Sequence, residues 1–467
     1  RLPLVMENNE GQWSVSPGSG GLVTALAPVL RDRGGVWIGW PGTTEPPTPA
    51  LEEAIAGAVR DTGYDLVPVF LSAEEKSWYY QVFANQVLWP LCHDMVSRCQ
   101  FLPRAWEVYS QVNARFAEVM SEQLQANDFV WIHDYHLMQV GRYLRESGAQ
   151  QRLGYFLHIP FPPVDVFMKL PWRRQVLHDL LQFDLLGFQT QRDRRHFARA
   201  VSVLLPDQAQ VRTSGQRTSI TCGDRRVLCG AFPIGIDHAG FSRDAATDEV
   251  AEQAWYLHEN YPERQIILGV DRLDYTKGIP EKLQAYRHLL HEHPDVCEQV
   301  SLVQVVVPSR WEIPHYEALK EEIERLVGEI NGEFTRPGWV PVHYYYRSLS
   351  RRDLLAYYRT SEMLIASPWK DGMNLVAKEY CAAKVGEPGV LLLSEFAGAA
   401  AQMHQHALMF NPHDIAGMAA TMHHGLTMPR DERATRMRGL QRGVRKQDVF
   451  WWVDRFLQAA QIGRAHV

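Results

Sequence analysis

Short apolar runs alternate with helical patterns along this chain, in two series with a break near residue 238. The first series holds Gly35-Val-Trp-Ile-Gly-Trp40, Asp128-Phe-Val-Trp-Ile-His133, Leu153-Gly-Tyr-Phe-Leu157 and Phe183-Asp-Leu-Leu-Gly-Phe188. The second holds Gln265 to Val270, Val303 to Val307, Val342 to Tyr346, Met363 to Ser367 and Gly389 to Leu393. Runs that are apolar throughout and separated by helices are the strands of parallel sheets covered on both faces. The pattern therefore predicts an α/β chain of two doubly wound domains facing a cleft, divided at 237/238. A length of 467 residues agrees with more than one domain. Three stretches read less regularly. Arg1-Leu-Pro3 and Gly18-Ser-Gly-Gly21 bracket a polar loop, residues 206–227 read as a polar, irregular excursion, and Phe232 to Asp237 reads as the last strand of the first domain and the start of a linker.

Asp371-Gly-Met-Asn-Leu-Val-Ala-Lys-Glu379 carries the densest chemistry. It follows an apolar strand and precedes a helical pattern ending near Ala383, with a tight turn at Gly372. A helix start offers unpaired N–H groups and the positive end of a dipole, which together seat phosphate. Asp371 is free to accept from sugar hydroxyls, and the backbone of Gly372, Met373, Asn374 and Leu375 lines the turn. Leu375 and Glu379 lie four apart, so both point back towards that helix end. Glu379 is placed to hold the two hydroxyls of a ribose. These residue types suit a nucleotide sugar. The competing reading makes Asp371 a helix N-cap and Glu379 a solvated helix residue.

A second helix start lies at Asp271-Arg-Leu-Asp-Tyr-Thr-Lys-Gly278. Arg272 and Lys277 put two cations at the positive end of that helix, where they oppose its dipole. A leaving diphosphate needs such charge; two surface cations are the plainer alternative. Asp134-Tyr-His136 sits at the C-terminal end of its strand, where open α/β sheets bind ligands. His133 and His136 have no third ligand at metal spacing, so no metal is expected. Gly20-Gly21 opens a helix and lets backbone approach a ligand closely. Ser394 to Ala400 is a small-residue turn with the same capacity.

The formal net charge of -6 argues against a general nucleic-acid binder. The six cysteines form no C-x-x-C pair and no Cys/His metal spacing, and a disulfide framework is not expected in a chain this long, so a reducing cytoplasm is the expected location. No apolar run approaches membrane length. Residues 462–467 share none of the preceding helical pattern and read as a non-native tail.

Taken in order, Ser19-Gly-Gly-Leu22, Trp89-Pro90, His133-Asp-Tyr-His136, His158-Ile-Pro-Phe-Pro162, Asp271 to Gly278, Asp371 to Glu379 and Glu395-Phe-Ala-Gly-Ala399 resemble the motifs of the trehalose-6-phosphate synthases over nearly the whole chain. The resemblance implies the GT-B fold. It implies metal-independent, cofactor-free transfer of glucose from a nucleoside diphosphate glucose to glucose 6-phosphate, with retention. Arg1 would grip the acceptor phosphate with Tyr80, Trp89 and Arg310. Trp40 would wall the acceptor site and Asp134 bind acceptor hydroxyls. His158 would contact the donor glucose, Arg272 and Lys277 the donor phosphates, Asp371 the transferred glucose and Glu379 the ribose. Gly21 would let the first loop close over the donor. The helix of residues 446–461 would cross back to the first domain.

If Arg1 is that arginine, the family's first strand is missing from this chain. No carboxylate stands out as a covalent nucleophile, and the resemblance implies front-face transfer in which the leaving phosphate accepts the proton. A separate phosphatase would complete the pathway, and a homo-oligomer is compatible with the sequence. Two alternatives stay open: a related synthase with another phosphorylated acceptor, such as glycerol 3-phosphate (a glucosylglycerol-phosphate synthase), and a non-catalytic sugar-phosphate sensor.

Overall fold

The computed structural model describes residues 1–9, 12–18, 21–261, 264–309, 314–386 and 388–462. It divides into two compact units. The first holds Arg1–Ile234 together with the last helix, Val449–Ile462; the second holds Gly235–Asp448.

The first unit opens with strands β1 (Leu4–Asn9) and β2 (Gln12–Pro17), an antiparallel pair. The expected polar loop is thus a hairpin. Its two-residue alternation explains this: Leu4 and Met6 turn inwards with Trp13 and Val15, while Val5 is exposed. Their partners include Leu51 and Ile55 of the helix Pro49–Thr62. That helix is capped by Thr48 and closed by Gly63 in the left-handed region. Strands β3 (Val36–Gly39) and β4 (Asp65–Pro68) form a separate parallel pair.

The main sheet of this unit contains β5 (Phe129–His133), β6 (Arg152–Leu157), β7 (Leu185–Phe188), β8 (Ala209–Ser214), β9 (Arg217–Cys222) and β10 (Arg225–Ala231). Their order is β5-β6-β7-β10-β9-β8, with parallel pairing from β5 to β10 and antiparallel pairing of β10 with β9 and of β9 with β8. The sequence reading is corrected twice here. Residues 206–227 are largely sheet, because their polar side chains line an edge. The last parallel strand is β10, not Phe232 to Asp237.

Phe456 of the last helix lies over Gly154 on β6 and Gly187 on β7. A Cβ at Gly187 would come within 2.6 Å of the Phe456 ring, and one at Gly154 within 2.9 Å. The two glycines leave the hollow that the ring fills, and Trp131 stacks on the same ring at 4.4 Å.

The second unit is a six-stranded parallel sheet of β11 (Gln265–Arg272), β12 (Val300–Val307), β13 (Val342–Tyr346), β14 (Met363–Ala366), β15 (Val390–Ser394) and β16 (Leu408–Phe410). The order is β13-β12-β11-β14-β15-β16. It reverses between β11 and β14, and ligands of such sheets bind beyond the strand ends at that reversal. Strands β14 and β15 are buried end to end, as their unbroken apolar runs require. Among the described residues no helix is long and apolar enough to cross a membrane.

Candidate active site

The reversal point of the second sheet gathers the two helix starts picked out from sequence. After β11 the chain makes a short 3-10 turn, Tyr275–Lys277, and enters the helix Ile279–Glu292 through Gly278. Gly278 has φ +61°, and a Cβ there would meet the Ser367 carbonyl at 2.2 Å, so only glycine fits. The turn is built by Asp274, which is fully buried. Its Oδ1 accepts from the Thr276 N–H at 3.0 Å and the Thr276 hydroxyl at 2.9 Å. Asp274 escaped notice in the sequence, although the Asp-x-Thr spacing of a side-chain turn was its signal. Arg272 is exposed at the end of β11, and Lys277 is 9% exposed.

After β14 comes Asp371. Lys277 Nζ donates to its Oδ2 at 2.7 Å. The two residues assigned to the donor's phosphates and sugar are therefore partners of each other. Asp371 is not the helix cap. The helix runs Leu375–Ala383, and its cap is Asn374, whose side chain accepts from the Ala377 N–H. Asn374 takes φ +88° to do so. Gly372 and Met373 are buried. The small-residue turn is strapped onto this loop: the Gly398 N–H donates to the Asp371 carbonyl at 3.0 Å and the Ala399 N–H to the Met373 carbonyl at 2.7 Å. A Cβ on Gly398 would fall 1.8 Å from the Gly372 carbonyl oxygen. Small residues are needed there for contact between two stretches of backbone.

Glu379 is not a freely solvated helix residue. Tyr358 donates its hydroxyl to Glu379 Oε2 at 3.0 Å. Desolvation pushes the Glu379 carboxyl above the usual carboxylate range, while the Tyr358 hydrogen bond opposes that rise. Its neighbour Lys378 is 2% exposed and donates to Gln402 Oε1 at 2.8 Å. Burial brings that ammonium down to about 7.

In the first unit Asp134 and His158 follow the C-terminal ends of the neighbouring strands β5 and β6. Asp134 follows β5 with φ +73° and ψ 169°, a conformation costly for any residue but glycine. Its Oδ1 accepts from the His158 backbone N–H at 3.2 Å. The loop is held from below by Asn113, which donates to the Tyr109 and His136 carbonyls and accepts from the Gln139 N–H. His133 Nδ1 and His158 Nε2 are 3.1 Å apart. Desolvation pushes His158 down to about 3 and His133 well below its ordinary value, and a proton on His158 would oppose one on His133. Neither ring is a cation at neutral pH.

Trp40, Tyr80 and His136 form an aromatic row: Trp40 to Tyr80 is 5.8 Å, and Tyr80 stacks on His136 at 5.7 Å. The Arg1 guanidinium sits over Trp40 at 4.9 Å. Tyr80 belongs to an unusual π-helix, Lys76–Leu88. Within it Asn85 donates to the Tyr80 carbonyl at 2.7 Å and accepts from the Tyr135 hydroxyl. Trp89 is 5% exposed and packs on His93 and Tyr135. Gly21 is the first residue of the helix Gly21–Arg33. Arg310 lies outside the described residues. Among the described residues no group of three or more His, Cys, Asp or Glu is arranged to hold a metal ion.

The family-wide pattern described as Glycosyltransferase family 20 matches residues 1–462. The chain belongs to that family. The trehalose-6-phosphate synthase of Mycolicibacterium gilvum (strain PYR-GCK) is 40% identical over 466 residues, which is 98% of this chain and 92% of that protein. Among solved structures, an alpha,alpha-trehalose-phosphate synthase (UDP-forming) from Burkholderia xenovorans in complex with glucose-6-phosphate superposes with a TM-score of 0.87. It is 33% identical, over 95% of this chain and 97% of that one. An E. coli structure bound with UDP-2-fluoro glucose gives a TM-score of 0.86 at 34% identity, over 96% of this chain and 97% of that one. The family-20 fold here is GT-B, α/β with two Rossmann-like units.

Proposed function

We propose that this chain transfers glucose from UDP-glucose to glucose 6-phosphate, giving α,α-trehalose 6-phosphate with retention of configuration. The observation that carries the reading is the Lys277–Asp371 pair at the reversal point of the second sheet. It brings a phosphate-binding cation and a hydroxyl-binding carboxylate to one place, beside the N-terminus of the helix that carries Glu379. The 40% identity to trehalose-6-phosphate synthase over 98% of the chain supports the substrates.

In this reading Arg272 and Lys277 take the diphosphate, Asp371 and the backbone of Gly372 to Leu375 the glucose, and Glu379 the ribose. Gly21, the first residue of its helix, takes part in donor binding, and His158 contacts the transferred sugar. Arg1, Tyr80, Trp89 and Arg310 hold the acceptor phosphate, with Trp40 and Asp134 along its sugar. The bond from the anomeric carbon to the β-phosphate oxygen breaks, and the acceptor hydroxyl attacks the same face. Its proton passes to the departing phosphate oxygen. Arg272 and Lys277 neutralise the charge that builds on that oxygen, so the protein's work is positioning and electrostatics. With two cations at the diphosphate, the transfer would need no divalent metal. The product leaves as a sugar phosphate, which a separate phosphatase would hydrolyse, and a cytoplasmic location suits both substrates.

The test is incubation of the protein with UDP-glucose and glucose 6-phosphate without divalent metal, following UDP and the sugar product. Trehalose 6-phosphate is the expected product. UDP release only with glycerol 3-phosphate would move the protein to a sister activity, and binding of glucose 6-phosphate without turnover with any acceptor would make it a sensor.

A further inference from the structure

His158 follows β6, and Gln189 follows the adjacent strand β7. The Ile234 backbone N–H donates to Gln189 Oε1 at 3.0 Å. An N–H can only donate, so this bond fixes which end of the amide is oxygen. The other end, Gln189 Nε2, lies 3.5 Å from His158 Nδ1. An amide nitrogen can only donate, so Nδ1 is the acceptor and carries no proton. The proton of a neutral His158 is then on Nε2, which is 3.1 Å from His133 Nδ1. His133 must accept there, and its own proton is on Nε2. One backbone N–H thus orients a chain of three side chains drawn from the ends of β5, β6 and β7.

Packing holds the chain still. Gln189 is 2% exposed. Trp452 of the last helix lies 6.0 Å from the His158 ring and 6.3 Å from His133, and Trp131 lies 4.7 Å from His133. Asp134 is the ionisable group alongside, and its carboxylate is engaged by the His158 backbone N–H.

We propose that Gln189 and His133 are positioning residues for glucosyl transfer: they lock His158 as the neutral Nε2–H tautomer, so that its Nδ1 carries a lone pair, held by the long Gln189 contact until a sugar hydroxyl takes it over, and never an acidic proton. The functional half of this statement rests on the activity proposed above; the tautomer does not. A hydroxyl that displaces the Gln189 amide from His158 Nδ1 has to donate to that nitrogen, which orients the hydroxyl. A His158 of the opposite tautomer would present a donor and turn that hydroxyl round.

The tautomer is read directly by nitrogen NMR of the wild-type protein labelled on histidine, with the His158 signals identified by their loss in His158→Gln. The expected spectrum shows Nε2 protonated and Nδ1 unprotonated for both rings, unchanged from pH 6 to about 8, as their lowered proton affinity requires. In Gln189→Glu a carboxylate faces Nδ1 and draws the proton to it. Turnover should fall by on the order of tenfold to a hundredfold, and its pH profile should gain an ionisation that wild type lacks. His133→Asn keeps an acceptor for Nε2–H and should retain the wild-type tautomer and pH profile. A wild-type spectrum with Nδ1 protonated on His158 overturns the lock even in a fully active enzyme. A folded, active Gln189→Glu protein with the wild-type pH profile overturns the positioning role. An inactive wild type with the expected spectrum would instead sink the activity and leave the tautomer standing.

Discussion

Lys277 Nζ donates to Asp371 Oδ2 at 2.7 Å, across 94 positions of sequence. The contact exists because β11 and β14 are neighbours at the point where the strand order reverses. Both side chains are largely buried, at 11% and 16% exposed, so each offsets part of the cost of burying the other's charge. In the proposed function a nucleotide sugar replaces that partnership, the diphosphate taking the ammonium and the glucose hydroxyls taking the carboxylate.

The two residues should therefore separate by ligand. Lys277→Ala should lose about 2 to 4 kcal/mol of transition-state stabilisation and weaken UDP binding. Asp371→Ala should transfer no glucose yet bind UDP at least as tightly as wild type, because it frees Lys277. Calorimetric UDP titrations of both variants check this; equal weakening in both would contradict the ion-pair account.

Tyr358 supports Glu379 by donating a hydrogen bond to a carboxylate that burial already disfavours as an anion. Tyr358→Phe should raise the Glu379 pKa further and cost about 1 to 3 kcal/mol of donor affinity. Steady-state kinetics should register this mainly in KM for the donor, with kcat little changed.

The hollow under Phe456 predicts a non-additive pair. Gly187→Ala places a methyl 2.5 Å from Phe156 and 2.6 Å from Phe456, and should cost about 1 to 3 kcal/mol by overpacking. Phe456→Ala should cost about 3 to 5 kcal/mol by leaving a cavity. In the double variant the added methyl occupies vacated space, so the loss should be smaller than the sum. Urea denaturation of the four proteins measures the coupling.

Lys378 gives a pH signature. Its folded-state pKa is lowered to about 7 from 10.5, so between those values the unfolded chain binds a proton that the folded one does not. Its contribution to stability then rises with pH from about 7 to about 10 and is unfavourable below that window. Lys378→Met should remove this rise and leave the protein no less stable at pH 6.5, since a buried charge exchanged for an apolar chain of similar size is often neutral or better. Denaturation midpoints at pH 6.5, 8 and 9.5 test it; an unchanged pH slope would show that Lys378 is not the group responsible.

Much was legible in the chain itself. Strands β14 and β15 of the second unit stand out as apolar runs, because a strand buried on both faces admits little else. The motifs after β11 and β14 stand out too, because a cation or glycine at a helix start has few structural uses. The hairpin of β1 and β2 was less visible: its alternation is short and carries Glu7, Asn8 and Asn9. The strands within 206–227 were obscured by the polar side chains of a sheet edge.

The residue types of the site were thus settled locally, by what each backbone turn and each ligand group requires. Which of them touch was settled only by the tertiary structure. Strand order made partners of Lys277 and Asp371, the amide of Gln189 fixed the proton on His158, and two glycines on adjacent strands made the seat for Phe456. The physical reason is that a hydrogen bond or a packed ring depends on distances of a few tenths of an ångström. Those distances arise between segments far apart in the chain, where no local pattern records them.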